Sequence, residues 1–168
     1  INEGVVSLGS AAVRLADGHT DLTGATALVV GAGEMGRLAA QALSAAGVDR
    51  IVIANRTIPH AEHVAGTVDA DGAAVGLDAV AAAAAEADVV IAATSSPEPV
   101  VDRAALTGAG ETVVVDVGQP RDVDPAVGDV DAVEAYDLDD LESVTDETRE
   151  RRRREAAEVE AMINAEFE

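Results

Sequence analysis

Short apolar runs alternate with helical stretches from Ala25 to Ala135, and this alternation is the feature that most limits the folds available to the chain. The stronger runs are apolar at nearly every position, which is typical of parallel strands covered by helices on both faces. The pattern predicts βαβ units and a doubly wound, parallel α/β sheet. The expected strands are Thr26–Val30, Arg50–Ala54, Ala73–Val75, Asp88–Ala93, Thr112–Val117 and Ala132–Ala135. The expected helices between them are Met35–Ala46, with Gly47 as its stop, Pro59–Thr67, Leu77–Glu86 and Arg103–Ala109.

Apolar residues at helical spacing predict one further helix at each end of the chain, over residues 5–15 and from Thr145 onward. We expect residues 1–18 to be the end of a connecting helix from a preceding domain and residues 19–143 to form the central domain. Residues 144–168 are then the start of a C-terminal helical domain. The alternative is that both terminal helices simply cap the central domain.

Charge is the most unusual feature of the composition. The sequence has 32 acidic and 11 basic residues, a formal net charge of −21, and all of its basic residues are Arg. A hydrophobic fraction of 48% argues for a folded core beneath this acidic surface. We interpret the surface as that of a halophile's protein, in which molar salt screens self-repulsion, and we expect stability to increase with salt.

Several chemistries are excluded by what the sequence lacks. It contains no cysteine, so it has no disulfide, thiol nucleophile or Cys-containing zinc site. His60 and His63 are three residues apart but have no accompanying third ligand, and we expect no metal site. No apolar stretch approaches the roughly 20 residues of a membrane helix, so we expect a cytoplasmic protein without a membrane partner.

A Gly-x-Gly-x-x-Gly motif follows the first expected strand directly and opens the first helix. In that context the motif predicts a Rossmann dinucleotide-binding turn, and with it the strand order 3-2-1-4-5-6. Gly31 would allow the tight turn, Gly33 the close approach of a pyrophosphate to the backbone, and Gly36 the packing of helix on strand. The predicted phosphate-binding residues are Gly31, Ala32, Gly33, Glu34, Met35 and Gly36.

The residues after the second strand predict which dinucleotide is bound. A domain that selects NAD carries an acidic residue there, but this chain has Asn55, Arg56 and Thr57. A neutral Asn does not repel a 2′-phosphate, the Arg supplies a fork of donors for it, and the Thr adds a hydroxyl. The sequence therefore predicts NADPH as the cofactor. A solvated surface role for Arg56 is the alternative.

Two later loops are expected at the same edge of the sheet, where they would line the nicotinamide half of the cleft. One contains Thr94, Ser95, Ser96 and Pro97, and the other contains Gly118. Such residues are also common in ordinary turns, so a purely structural role remains open for both loops.

Together these motifs resemble glutamyl-tRNA reductase, an NADPH-dependent enzyme of tetrapyrrole (porphyrin) biosynthesis. The resemblance is carried by residues 6–13, the Gly31–Gly36 motif with its Glu-Met pair, Asn55–Thr57, Ala93–Pro97 and Asp116–Val123. It implies an oxidoreductase in which a cysteine takes the glutamyl group from tRNA as a thioester and NADPH hydride reduces it to glutamate-1-semialdehyde. The cysteine would belong to a preceding domain, so we expect no catalytic residue in this chain.

The resemblance also implies partners. The whole enzyme would bind glutamyl-tRNA through a domain outside this chain, form a homodimer through C-terminal helices, and contact the next enzyme of the pathway. Two alternatives remain open. One is a shikimate- or quinate-dehydrogenase-like NADP domain, although that enzyme needs a Lys–Asp pair and this chain has no Lys. The other is a non-catalytic module that senses a dinucleotide.

Overall fold

The computed structural model describes residues 3–118, 121–137 and 140. The strands are β1 (Thr26–Val30), β2 (Arg50–Ala54), β3 (Asp71–Val75), β4 (Val89–Ala92), β5 (Thr112–Asp116) and β6 (Val133–Tyr136). The α-helices are α1 (Glu3–Asp17), α2 (Glu34–Ala45), α3 (Ile58–Ala65), α4 (Val80–Glu86) and α5 (Arg103–Leu106), with 3-10 turns at Leu77–Ala79 and Pro125–Asp129. The sheet order is β3-β2-β1-β4-β5-β6 and every pair is parallel, which confirms the predicted fold and strand order.

Helices cover both faces of the sheet. Side chains from α1, α2 and α3 pack on one face, and side chains from α4, α5 and the second 3-10 turn pack on the other. The central strands β4 and β5 are buried at every position because each lies between two neighbours and two helical layers. Burial on both faces by helices therefore explains their continuous apolar runs, as predicted.

The element boundaries differ from the prediction by up to three residues. The helix expected from Leu77 begins as a 3-10 turn and becomes α-helical at Val80, and α5 ends at Leu106. Gly47 ends the turn after α2 with a φ of +99°, as predicted from its position. The 3-10 turn at Pro125–Asp129 was not predicted; the carboxylate of Asp124 begins it by accepting from the Ala126 N–H at 2.9 Å.

The N-terminal helix packs onto the central domain. Ala12, Val13 and Ala16 of α1 are buried in the core layer that also contains α2. This packing agrees with the alternative in which the N-terminal helix caps the central domain. The division of the chain into residues 1–18, 19–143 and 144–168 stays a prediction. The helix expected from Thr145 lies outside the described residues. In the part of the chain that the structure describes, no helix has the length and apolarity needed to cross a membrane.

Candidate functional site

The carboxyl ends of β1, β2 and β4 border a cleft of about 460 Å³, within the size range of small-molecule sites. It lies at the boundary between β1 and β4, where the strand order reverses, which is the point at which doubly wound sheets bind ligands. All predicted cofactor-binding residues except Gly36 and Gly118 line it: Gly31, Ala32, Gly33, Glu34, Met35, Asn55, Arg56, Thr57, Thr94, Ser95, Ser96 and Pro97. Leu77, Ala93 and Val100 also line it and were not predicted.

Two of the motif glycines are required by close packing. Gly31 has a φ of +116°, and a Cβ there would lie 2.5 Å from the carbonyl oxygen of Ala93. A Cβ on Gly36 would overlap the carbonyl oxygen of Gly31, so Gly36 lets α2 approach the end of β1. These contacts match the steric roles predicted for both residues.

The third motif glycine faces open space. A Cβ on Gly33 would have no described heavy atom within 4 Å, although Gly33 lines the cleft as the N-cap of α2. The first helical hydrogen bond of α2 runs from the Arg37 N–H to the Gly33 carbonyl oxygen, so the N–H groups before it have no helical acceptor. Free donors and the positive end of the helix dipole therefore meet at this point of the cleft, an arrangement suited to a pyrophosphate.

The turn after β2 is closed by Asn55. Its side-chain amide donates to the Thr57 carbonyl oxygen at 3.0 Å, and its backbone N–H donates to Val75 at 3.1 Å. Arg56 and Thr57 are exposed at the rim of the cleft, and the Thr57 hydroxyl caps no helical N–H. Among the described residues, no acidic side chain forms an ion pair with Arg56. The guanidinium is thus available to an anionic ligand.

The loop after β4 is held from behind by a buried carboxylate. Asp122 has no exposed surface, and its carboxylate accepts from the Thr94 N–H at 2.6 Å and from the Thr94 hydroxyl. The Ser96 N–H donates in turn to the Thr94 hydroxyl oxygen at 3.0 Å. Burial raises the pKa of the Asp122 carboxyl above its ordinary value, and the hydrogen bonds from Thr94 act in the opposite direction.

A second buried carboxylate organises the turn after β5. Asp116 accepts from the N–H groups of Gly118 at 2.9 Å, Asp122 at 3.0 Å and Val123 at 3.0 Å. Gly118 lies within this turn, buried and outside the cleft lining, where a Cβ would overlap the carboxylate of Asp122. The structure therefore places Gly118 outside the residues that line the cleft, where its lack of a side chain makes room for Asp122, and its contact with the nicotinamide stays a prediction.

The Asp116–Asp122 pair was missed by sequence reasoning. Both residues fall in the Asp116–Val123 stretch that carried part of the resemblance, but nothing local marks either as buried. Thr94 and Asp122 are 28 positions apart, so their contact arises only when β4 and β5 pair. An aspartate directly after an apolar strand of a predicted parallel sheet was the one available signal, since that position faces the ligand edge.

The fold and the cleft define a Rossmann-type domain for a nicotinamide dinucleotide. A family model described as shikimate / quinate 5-dehydrogenase matches residues 14–144, and the chain belongs to that family.

Within this family the relatives are more specific. The chain is 54% identical over all of its 168 residues to a glutamyl-tRNA reductase of Haloarcula marismortui, spanning 37% of that protein's length. It is 40% identical to one of Methanococcus maripaludis, spanning 44% of its length. The motif-based resemblance to glutamyl-tRNA reductase is therefore confirmed along the whole chain. The chain spans less than half the length of each of these relatives.

Solved structures agree with this. The glutamyl-tRNA reductase of Methanopyrus kandleri superposes with a TM-score of 0.80 at 38% identity, over 95% of this chain and 41% of that one. The nucleotide-binding domain of the Thermoplasma volcanium enzyme has a TM-score of 0.64 over 85% of this chain and 96% of that one. At 21% identity, the second match supports the fold alone.

Proposed function

We propose that this chain is the NADPH-binding domain of a glutamyl-tRNA reductase and positions the hydride donor of that enzyme. The observation that carries the choice of cofactor is the exposed Arg56, which lies at the cleft rim without an acidic partner among the described residues. A free guanidinium beside the neutral Asn55 suits a 2′-phosphate and gives no acidic acceptor for the ribose hydroxyls of NADH.

In this proposal the residues of the chain bind and orient NADPH. The N–H groups at the start of α2 would hold the pyrophosphate, Arg56 and Thr57 the 2′-phosphate, and the Thr94–Pro97 loop the nicotinamide half. When bound, NADPH supplies a hydride at its nicotinamide ring. The Glu34 side chain is exposed, so its negative charge can stay in water while its backbone N–H faces the phosphates.

The remaining parts of the reaction belong to the whole enzyme. By analogy with the relatives, a glutamyl group from tRNA is held as a thioester on a cysteine outside this chain and is reduced to glutamate-1-semialdehyde. We also propose a dimer through C-terminal helices, contact with the next enzyme of tetrapyrrole synthesis, and a cytoplasmic, halophilic setting. The net charge of −21 and the halophilic archaea among the relatives support that setting.

Two alternative functions would use the same cleft. The family model bears the name of shikimate and quinate dehydrogenases, but the relatives at 40–56% identity over the whole chain are glutamyl-tRNA reductases. A dinucleotide sensor would bind the same cofactor without chemistry. Hydride transfer from NADPH to glutamyl-tRNA, measured in the full-length protein, separates an enzyme from a sensor.

Cofactor preference is tested by calorimetric titration of the chain with NADPH and NADH in molar KCl. We expect NADPH to bind more tightly. Arg56→Ala should weaken NADPH binding about ten- to hundredfold, the loss of a charge-assisted contact, and leave NADH nearly unchanged.

A matched control is Arg50→Ala, because Arg50 is an exposed arginine at the opposite end of the same strand β2. It should change neither affinity. Equal losses for both cofactors in Arg56→Ala would mean that Arg56 supports the fold of the turn and does not select the phosphate.

A further inference from the structure

A carboxylate with no exposed surface is costly to keep in a small domain unless hydrogen bonds compensate it. Asp122 is such a group, and the donors it receives are both from one residue of the cleft, the backbone N–H and the hydroxyl of Thr94. Each oxygen of the Asp122 carboxylate thus accepts one hydrogen bond from Thr94. Two contacts in different directions fix the orientation of a residue, whereas one leaves it free to rotate.

The hydrogen-bond network extends from Asp122 to the cleft through Thr94. Its hydroxyl hydrogen is directed to Asp122, and its oxygen accepts from the Ser96 N–H at 3.0 Å. Ser95, which lies between them, and Ser96 both line the cleft. The path of this loop along the cleft wall therefore depends on where the Asp122 carboxylate stands.

Asp122 is itself held in place from the sheet. Its backbone N–H donates to the Asp116 carboxylate at the end of β5, and its carbonyl oxygen accepts from the N–H groups of Val100 at 2.7 Å and Val101 at 2.9 Å. The side chain occupies space left open by Gly118. The Asp122 side chain thus reaches the cleft loop only through Thr94, while its main chain is held by Asp116 and by Val100 and Val101.

We propose that Asp122 is a positioning residue for the nicotinamide half of the cleft: it touches no ligand and sets the Thr94–Pro97 loop against which the ring lies. The proposal rests on the proposed NADPH function. It predicts an effect confined to ligands that carry the nicotinamide, because the residues of the adenosine half, Gly33 and Asn55–Thr57, have no contact with Asp122 among the hydrogen bonds described above.

The test compares two ligands on the 168-residue chain by calorimetry in molar KCl. One is NADPH, and the other is 2′-phospho-ADP-ribose, which has the adenosine half and pyrophosphate but no nicotinamide. Asp122→Ala should weaken NADPH about tenfold or more and change 2′-phospho-ADP-ribose less than about twofold. Thr94→Val removes the hydroxyl alone and should weaken NADPH by a smaller factor with the same ligand selectivity.

Two further variants give results that a purely structural role of Asp122 would not: a conservative replacement that restores NADPH binding, and a double substitution at Asp122 and Thr94. Asp122→Asn keeps one acceptor for the Thr94 N–H and can donate to the Thr94 hydroxyl oxygen, so it should restore most of the affinity lost in Asp122→Ala. Asp122→Ala combined with Thr94→Val should weaken NADPH binding by less than the product of the two single factors, since the two substitutions remove a shared contact.

Asp124→Ala is the matched control. Asp124 lies two residues on in the same segment and also holds backbone, through the Ala126 N–H, but does not reach the cleft loop. It should lower thermal stability and leave both affinities unchanged.

Equal losses for the two ligands in Asp122→Ala would overturn the positioning role, and so would unchanged NADPH binding. If Asp122→Ala does not fold, Thr94→Val decides by the same ligand ratio. Failure of the unmodified chain to bind either ligand would count against the proposed NADPH function itself, an outcome distinct from the others.

Discussion

The two halves of the cleft are built in different ways. The adenosine half consists of neighbouring residues in two short motifs, with exposed side chains and free backbone donors at the start of α2. The half proposed for the nicotinamide is a loop held by hydrogen bonds from Thr94 to Asp122, a fully buried residue 28 positions further along the chain. One half is local in sequence and faces solvent; the other depends on tertiary contacts behind the cleft wall.

The two halves would therefore have different tasks: exposed side chains select the cofactor, and buried side chains fix the position of the loop that contacts it. Exposed groups such as Arg56 can choose between cofactors by their charge, because nothing in the described protein competes for them. Buried groups such as Asp122 cannot reach the ligand, but they limit the positions that a loop can take. Substitutions in the two halves should therefore differ in ligand dependence, in salt dependence and in pH dependence.

The largest effect is expected where the halves touch, at Gly31. Gly31→Ala puts a side chain into a φ of +116° and against the backbone of Ala93, which begins the loop of the other half. The backbone conformation alone costs about 1–3 kcal/mol, and the steric contact adds to it. We expect a lower thermal midpoint and at least a hundredfold loss of affinity for both NADPH and 2′-phospho-ADP-ribose.

Two alanine variants calibrate that result. Gly108→Ala lies outside the cleft at a position where a Cβ meets nothing within 4 Å, and it should change neither stability nor binding. Gly33→Ala also meets no protein atom, but its methyl group would occupy the space of the pyrophosphate. It should weaken both ligands at an unchanged midpoint. A midpoint loss in Gly33→Ala would contradict the open geometry of this position.

Salt concentration should change the affinity loss caused by a substitution in the exposed half, and it should leave the loss in the buried half unchanged. We expect this effect to be smaller than that of Gly31→Ala. The Debye length is about 3 Å at 1 M, so exposed charge contacts are strongly screened and buried ones much less. Between about 0.5 and 3 M KCl, the loss of NADPH affinity caused by Arg56→Ala should shrink about threefold. The loss caused by Asp122→Ala should stay constant. Parallel changes in the two losses, measured by titration at each salt concentration, would remove the distinction between an exposed and a buried half.

The smallest effect concerns pH. Burial raises the pKa of Asp122 in the folded chain, so the folded state keeps this proton at pH values where the unfolded state has lost it. Stability from this group is therefore greatest at low pH and falls as pH rises from about 4 through the raised pKa. Asp122→Asn does not titrate. The wild-type stability minus that of Asp122→Asn, from urea unfolding in KCl, should decline over this range, and a pH-independent difference would contradict it.

The sequence predicted the fold, and it located most of the residues that line the cleft, because both are encoded locally. Continuous apolar runs indicated buried strands, and the Gly31–Gly36 turn and Asn55–Thr57 follow strand ends that the runs located. Asp122 and the placement of Gly118 could not be found this way. Their roles depend on β5 lying beside β4, which brings Asp122 behind Thr94 and leaves Gly118 behind the wall of the cleft.

The contact between Gly31 and Ala93 also bears on how the domain can move. Gly31 begins the turn after β1, Ala93 follows β4, and the Ala93 N–H donates to the Val30 carbonyl oxygen at 2.8 Å. The walls of the cleft that follow β1 and β4 are thus joined through their main chains, so one cannot separate from the other without breaking a backbone hydrogen bond.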